Sequence, residues 1–369
     1  MPFYLTMLLL VPILMGLTGL FTSKGRVTLK EFFVMELAVA LVLAVGIGIS
    51  FYTATGDVEL WNGRVAKKVK ELVSCEHSYS CNCRPSCSGS GKDEVCTTVC
   101  DTCYEHSNDW DWNLYTNNNE TVTIKRIDRR GSQEPPRWTQ AQVMDPTALQ
   151  HRFTNYVKAS PDTILRRRGV LKQFQNLVPA YPVGVYDYHY ADRFVSVGVP
   201  EPNARDWNRL LQELNADLGP SKEVNIILVA VKTEDPVYQY ALEEAWIGGK
   251  KNDLIVLLGV TDYPKISWVR VSSWSKSEDL KVELRDAVQE IGTMADRGKL
   301  AETIRGLVVK KFIRRHMSEF KYLAAGLQPG TTVTIVLFIV GLLVQIGLLV
   351  YFYREDPFDT GYQRYGRRW

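Results

Sequence analysis

Three long apolar blocks, two at the start of the chain and one near its end, constrain this sequence more than any other feature. Pro2–Phe21 carries no charge, Phe32–Thr53 carries only Glu36, and Thr332–Tyr353 carries none. Each reaches the ~20 residues that cross a hydrocarbon core, so the expectation is three transmembrane helices, about 2–21, 32–53 and 330–353. The first block lacks a basic flank and a small-residue cleavage site, which argues against a removed signal peptide. Ser23–Glu31 holds Lys24, Arg26 and Lys30, and the tail 354–369 holds Arg354, Arg364, Arg367 and Arg368. The positive-inside rule places both segments on the cytoplasmic side. The chain then reads as a multi-pass integral membrane protein with residues 54–329 extracytoplasmic and a cytoplasmic tail, in contact with a lipid bilayer. Glu36 is either interfacial or a contact between helices, and Gly46, Gly48, Ser50 and Gly341 suit close helix packing.

Between the blocks, Glu223–Ser272 reads as strand, helix, strand, turn, strand. Glu223–Lys232 and Asp253–Val260 are near-continuous runs of Val, Ile and Leu, the mark of strands buried on both faces. Asp235-Pro236 opens a helix, Gly248-Gly249 ends it, and Ile266–Ser273 is the third strand. Further apolar stripes predict helices over Asn203–Leu218, with Asn203 as cap, Asp206 at the third position and Gly219-Pro220 as the stop. Ser275-x-x-Glu278 predicts another helix, and a last one runs from Lys299 through Arg314-Arg315. Asp192–Val199 is a strand. The fold class is α/β: a small mixed sheet with helices on both faces, plus three transmembrane helices and a cysteine-rich insert.

The segment W-I-G-G-K-K-N-D-L-I-V-L-L (Trp246–Leu258), following a strand and a helix, resembles the core of the TPM domain. Asp253 stands where that family has a glycine. The resemblance covers about Asp192–Phe312 and implies a TPM-like sandwich in a membrane-anchored protein, facing an extracytoplasmic space, with an accessory, repair or assembly role.

All seven cysteines fall in one island: Cys75, Cys81, Cys83, Cys87, Cys96, Cys100 and Cys103. The stretch is rich in Ser, Gly and Asn and cannot bury a core, so cross-links must order it. Two chemistries fit. Outside the cytoplasm, six of the seven would pair as disulfides with one left over, the connectivity open. Facing the cytosol, Cys96, Cys100, Cys103 and His106 would make a Cys3His zinc site, and Cys81, Cys83 and Cys87 with Cys75 or His77 a second.

Other segments are less specific. Trp61–Val73 reads as an amphipathic helix with Val65, Val69 and Leu72 on one side. Asp109-Trp110-Asp111-Trp112 reads as an exposed loop before a strand at Thr121–Ile127. Asp128–Pro136 is a Pro-rich break, Pro146–Ala159 looks helical, and Leu165–Leu177 continues a helix begun at Ser160-Pro161-Asp162. The basic triplet Arg166-Arg167-Arg168 reads as a solvated face, and the Tyr181–Tyr190 segment with His189 as packing. The division expected is 1–53, a transmembrane hairpin; 54–130, a cysteine-rich extracytoplasmic module; 131–190, a linker; 191–329, a TPM-like domain; then the third span and the tail.

Charge excludes a bulk nucleic-acid binder: 44 basic residues against 41 acidic give a net charge of +3. The function expected is a non-enzymatic interaction, assembly or accessory factor with an unidentified membrane or extracytoplasmic protein as partner and no cofactor. An enzymatic alternative is a metal-assisted phosphatase-like hydrolase using Asp235, Asp253 and Asp262 near strand ends. A zinc-binding adaptor is the alternative for a cytosolic domain.

Overall fold

The structure, a computed structural model, describes residues 3–23, 26–88, 95–160, 169–186, 190–200, 203–355 and 357–358. Lys24, the Arg166–Arg168 triplet, Tyr188, His189 and the tail arginines Arg364, Arg367 and Arg368 lie outside them, as does most of the helix expected from Ser160. In chain order the elements are α1 (Phe3–Thr22), α2 (Leu29–Thr55), β1 (Gly56–Ser74), β2 (Ser78–Ser88), β3 (Val95–Tyr104), β4 (Asn108–Thr116), β5 (Thr121–Ile124), α3 (Pro136–Gln140), β6 (Pro146–Thr154), α4 (Tyr156–Ala159), α5 (Leu171–Phe174), β7 (Phe194–Val197), α6 (Ala204–Lys222), β8 (Asn225–Val231), α7 (Tyr238–Ala245), β9 (Asp253–Gly259), β10 (Trp268–Ser273), α8 (Glu278–Ile291), α9 (Arg297–Lys311) and α10 (Thr331–Glu355). They divide into two compact units, one of Met1–Asp57, Thr154–Asp162 and Ser318–Trp369, the other of Val58–Phe153 and Thr163–Met317.

In the first unit, α2 and α10 are long and apolar enough to cross a membrane. Of the three spans expected, these two meet that length and composition among the described residues. A Thr28–Glu31 capping box starts α2. Glu36 is a contact between helices: Gln345 of α10 donates an amide N–H to its Oε1 at 2.9 Å. Gly16 of α1 lies so close that a Cβ there would fall 2.3 Å from that oxygen. Gly46 and Gly341 face Leu337 and Leu43, as close packing requires, whereas Gly48 faces open space.

The α/β part of the second unit follows the sequence closely. Its sheet has the order β10-β9-β8-β7, with β7, β8 and β9 parallel and β10 antiparallel to β9. Strands β8 and β9 are buried at every position. Successive residues point to opposite faces, so each strand serves two cores. Ile226, Leu228, Leu254 and Val256 pack with Trp207 and Leu211 of α6, Leu280 and Leu284 of α8, and Leu300 and Ile304 of α9. Ile227, Val229, Ile255 and Leu257 pack with Tyr238 and Leu242 of α7 and Phe174 of α5.

Several boundaries move, for local reasons. Helix α6 carries on through Gly219-Pro220 to Lys222, and Glu223, at φ 51°, closes it; Asn203 makes no side-chain cap. Ser277, not Ser275, caps α8 by accepting the Leu280 N–H. Ser275 Oγ accepts the Ile313 N–H and the Ser277 N–H instead. Helix α9 stops at Lys311 rather than continuing through Arg315. Arg314 then turns onto Glu59 and Glu223.

A second sheet, order β5-β4-β1-β6, was not expected. Where a helix was expected over Trp61–Val73 there is the long strand β1, and where Pro146–Ala159 looked helical there is β6 followed by the short α4. Asn108–Thr116, expected as a loop, is β4, paired antiparallel with β1 from Val65↔Thr116 to Ser74↔Asn108. Its aromatic rings receive the basic run of β1: Lys67 lies over Tyr115, and Lys70 over Trp110 and Trp112, contacts worth on the order of 0.5–2 kcal/mol each. Val65, Trp112, Leu114, Val122 and Ile124 form the core of this sheet.

The two four-stranded sheets are joined through β1. Glu59, fully buried, accepts from Trp61 Nε1 at 2.9 Å and Arg314 Nη2 at 2.7 Å, and lies 3.2 Å from Lys251 Nζ and 3.3 Å from His151 Nδ1. Removing one member of a buried ion cluster leaves the others charged without compensation, which costs about 3–5 kcal/mol. Glu59→Ala is expected to lose stability of that order in urea unfolding, whereas Leu72→Ala on the exposed end of β1 changes it little; equal losses would contradict the arrangement.

Candidate functional site

Strands β2 and β3 form a separate two-stranded ribbon in which most described side chains are exposed. Two strands alone bury too little apolar surface to be stable in water. Covalent bonds supply the order: Cys81–Cys103, Cys83–Cys100 and Cys87–Cys96 are disulfides, nested one inside the next. The register explains the pairing. Cys87 lies opposite Cys96, and the same register carries Cys83 to Cys100. An irregularity between Cys81 and Arg84, where Asn82 takes φ 46°, shifts the alignment so that Cys81 lies opposite Asp101 and Cys103 opposite Tyr79, and the third bond, Cys81–Cys103, runs diagonally across the ladder. Six of the seven cysteines are therefore paired, as the disulfide reading expected, and Cys75 is free and buried. The alternative ligand set Cys96, Cys100, Cys103 and His106 is not assembled, because its three sulfurs are each bonded to another sulfur. The same holds for the set built on Cys81, Cys83 and Cys87.

The root of the ribbon lies where the β1–β4 ladder ends, at Ser74↔Asn108, and the β2–β3 ladder begins, at Ser78↔Tyr104. In this gap Glu105 N donates to His77 O, and four side chains converge: Cys75 and His77 from one strand, His106 and Asp109 from the other. Cys75 Sγ is 3.8 Å from His106 Nδ1, His106 Nδ1 is 3.2 Å from Asp109 Oδ1, and His77 Nδ1 is 3.6 Å from Asp109 Oδ2. Asp109 is fully buried. Burial pushes its carboxyl up, but the Glu76 N–H, the Arg126 guanidinium, the Cys75 thiol and His106 together hold it below its ordinary value. Arg126 Nη1 donates to Asp109 Oδ2 at 3.0 Å, and its Nε and Nη2 grip Asp111. The Asp-Trp-Asp-Trp run thus has its acids on Arg126 and its rings under Lys70.

The three candidate catalytic acids are not brought together. Asp235, just beyond β8, accepts the Val237 N–H, and Asp262 lies in an exposed turn beyond β9. Asp253 is at the opposite, N-terminal end of β9, about 20 Å away along strands that rise ~3.3 Å per residue. It is buried in a polar network: Tyr181 Oη donates to both its oxygens, Asn225 Nδ2 to Oδ1 at 2.8 Å, and Lys250 N to Oδ2 at 2.7 Å. Asn225 Oδ1 in turn accepts from Arg193 Nε at 2.6 Å, and Arg193 is itself fully buried. Gly249, at φ 78°, lets the Trp246–Asp253 turn close over this carboxylate, 3.1 Å from where a Cβ would be. Asp253 therefore ties its own loop to β8.

Burial drives the Asp253 carboxyl up to about 6, against the lowering effect of Asn225, the Lys250 N–H and Tyr181. The unfolded value is near 3.9, so the folded protein holds this proton more tightly. Its stabilising effect is complete below about pH 4 and is lost as pH rises through about 6. The stability of the wild type minus that of Asp253→Asn is expected to fall by about 3 kcal/mol between about pH 4 and 7, read from urea unfolding; a difference independent of pH would contradict it.

Comparison with protein-family models, with curated proteins and with solved structures finds no match to this chain.

Proposed function

We propose that this chain is a membrane-anchored docking or assembly factor without enzymatic activity, with the disulfide-stapled ribbon as its docking element. The observation that carries the reading is the three nested disulfides, since such bonds persist in extracytoplasmic, oxidising spaces and not in a reducing cytosol. Helices α2 and α10 bracket residues 56–330, so two crossings put the whole intervening region on one side of the bilayer. The basic residues of Ser23–Glu31 and of the C-terminal tail favour the cytoplasmic side for the flanks, which leaves the ribbon outside.

A docking role fits the ribbon's surface. Tyr79, Val99 and Tyr104 are large apolar side chains exposed on an element with no core of its own. Two aromatic anchors on a rigid backbone lose little conformational entropy on binding, which is where interface energy concentrates. The TPM-like pattern of Trp246–Leu258 supports the same general role. The scattered placement of Asp235, Asp253 and Asp262 gives the hydrolase alternative no assembled site.

A photo-crosslinking residue at Val99, in the full chain within its own membrane, tests this reading. The expected product is a discrete adduct with a membrane or extracytoplasmic protein, lost when Tyr79 and Tyr104 are changed to Ser and absent from a probe at exposed Val282 on α8. Adducts of equal yield from both probes, or with cytosolic proteins, would refute the docking role.

A further inference from the structure

The cluster at the ribbon's root has no role in the docking reading, yet it brings four metal-ligating side chains to one point across a break in two ladders. We propose that Cys75, His77, His106 and Asp109 form a tetrahedral zinc site that locks the ribbon to the β1–β4 pair.

Geometry is the first argument. A tetrahedron with bonds of about 2.0–2.3 Å to nitrogen, oxygen and sulfur has edges of roughly 3.3–3.8 Å. Cys75 Sγ is 3.8 Å from His106 Nδ1, and the two imidazoles approach the two oxygens of one carboxylate, His106 Nδ1 at 3.2 Å from Asp109 Oδ1 and His77 Nδ1 at 3.6 Å from Asp109 Oδ2. The ligand atoms of Cys75, His77 and Asp109 all lie within 4.8 Å of one another. Both imidazoles present Nδ1 to the centre. An imidazole relaying a proton between Cys75 and Asp109 would need its two different nitrogens on the two partners. Here the thiol and the carboxylate both face the same nitrogen of His106, as ligands around one ion do.

The second argument is an unmet valence. His77 Nδ1 is buried and has no hydrogen-bond partner, at an inward-facing position where a lone pair without a partner is costly. A cation at the centre satisfies it. The third is the surrounding shell. Arg126 donates to Asp109 Oδ2 and is itself held by Asp111, the kind of second-layer support that orients a ligating carboxylate. Charge also closes: a thiolate and a carboxylate neutralise Zn2+, and Arg126 is paired with Asp111. The fourth is chemical. Six cysteines are oxidised in pairs and Cys75 has no partner sulfur; ligation as a thiolate, with its proton released to solvent, gives it a stable state in an oxidising space. A Cys, two His and a carboxylate on four positions is a zinc set rather than one for calcium or magnesium, which take oxygen.

The test uses the full chain purified in detergent without reductant, stripped with chelator and titrated with Co2+ and then Zn2+. One Co2+ per chain is expected, with a thiolate-to-cobalt absorption band that Zn2+ abolishes and that Cys75→Ser lacks. His106→Ala and Asp109→Asn should each weaken Zn2+ binding at least about tenfold, no less than the loss of a second-layer partner. No bound metal, a cobalt spectrum without the sulfur band, or a band that survives Cys75→Ser overturns the site. Should the variants fail to fold, the wild type decides. Zn2+ must slow alkylation of its single free thiol and chelator must restore the rate; equal rates overturn the proposal. Neither result depends on whether the ribbon docks a partner.

Discussion

A carboxylate with no access to water holds the large unit together. Glu59 stands near the start of β1, and its partners come from four places: Trp61 on β1, His151 on β6, Lys251 in the turn before β9, and Arg314 beyond α9. A buried charge is tolerated only with such compensation, so the elements that supply it must arrive together. The same strand continues the seam. Asn252 donates to Leu60 O, Asn62 donates to Val224 O, and Arg64 reaches Glu213 and Asp217 on α6. Strand β1 is thus docked to the α/β domain along its first half and paired with β4 along its second. Each half fixes what the other can do: the α/β domain orients the strand, and the strand aims the ribbon that follows it.

From that point outward the physical problem changes. The α/β sheet is ordered by burial on both faces, through β8 and β9. The β1–β4 pair is ordered partly by burial and partly by lysines laid over aromatic rings. The ribbon has neither, and order passes to covalent chemistry. The three disulfides are nested, so each reduces the chain length that the next must close. The root lies between these two regimes. There the backbone ladder is interrupted, and side chains, with the metal proposed for them, take over the connection. A rigid, exposed element mounted on a buried ionic cluster suits presentation of a surface better than turnover of a substrate.

Much of this was legible in the residues. Strands β8 and β9 announce themselves as apolar runs, and α6, α8 and α9 as apolar stripes with a period near 3.6, because their cores lie within the stretch that encodes them. Strand β1 reads as a helix because Val65, Val69 and Leu72 fall at helical spacing. An irregularity between Val65 and Lys67 breaks the strict alternation, and the pairing that makes the strand comes from β4, some forty residues on. The disulfide chemistry is readable from the clustering of cysteines, but the connectivity depends on the β2–β3 hairpin, whose antiparallel register favours nested pairs. Cys75 and His77 lie near each other in the sequence, as do His106 and Asp109, but nothing local says the two pairs share a site. That follows only from β1–β4 pairing at their inner ends. The separation of the candidate acids is legible too: the run Asp253–Val260 puts Asp253 at the start of its strand, the end opposite Asp235 and Asp262.

The account stands most directly on the covalent state of the island in the protein's own membrane. Free thiols would be blocked with a membrane-impermeant alkylating reagent under chelator and mild denaturant, and the unreduced protein digested and its linked peptides identified. The prediction is Cys81 joined to Cys103, Cys83 to Cys100 and Cys87 to Cys96, with Cys75 alone alkylated from outside. Seven free thiols, or pairs that cross rather than nest, would contradict both the ribbon and its placement in an oxidising space.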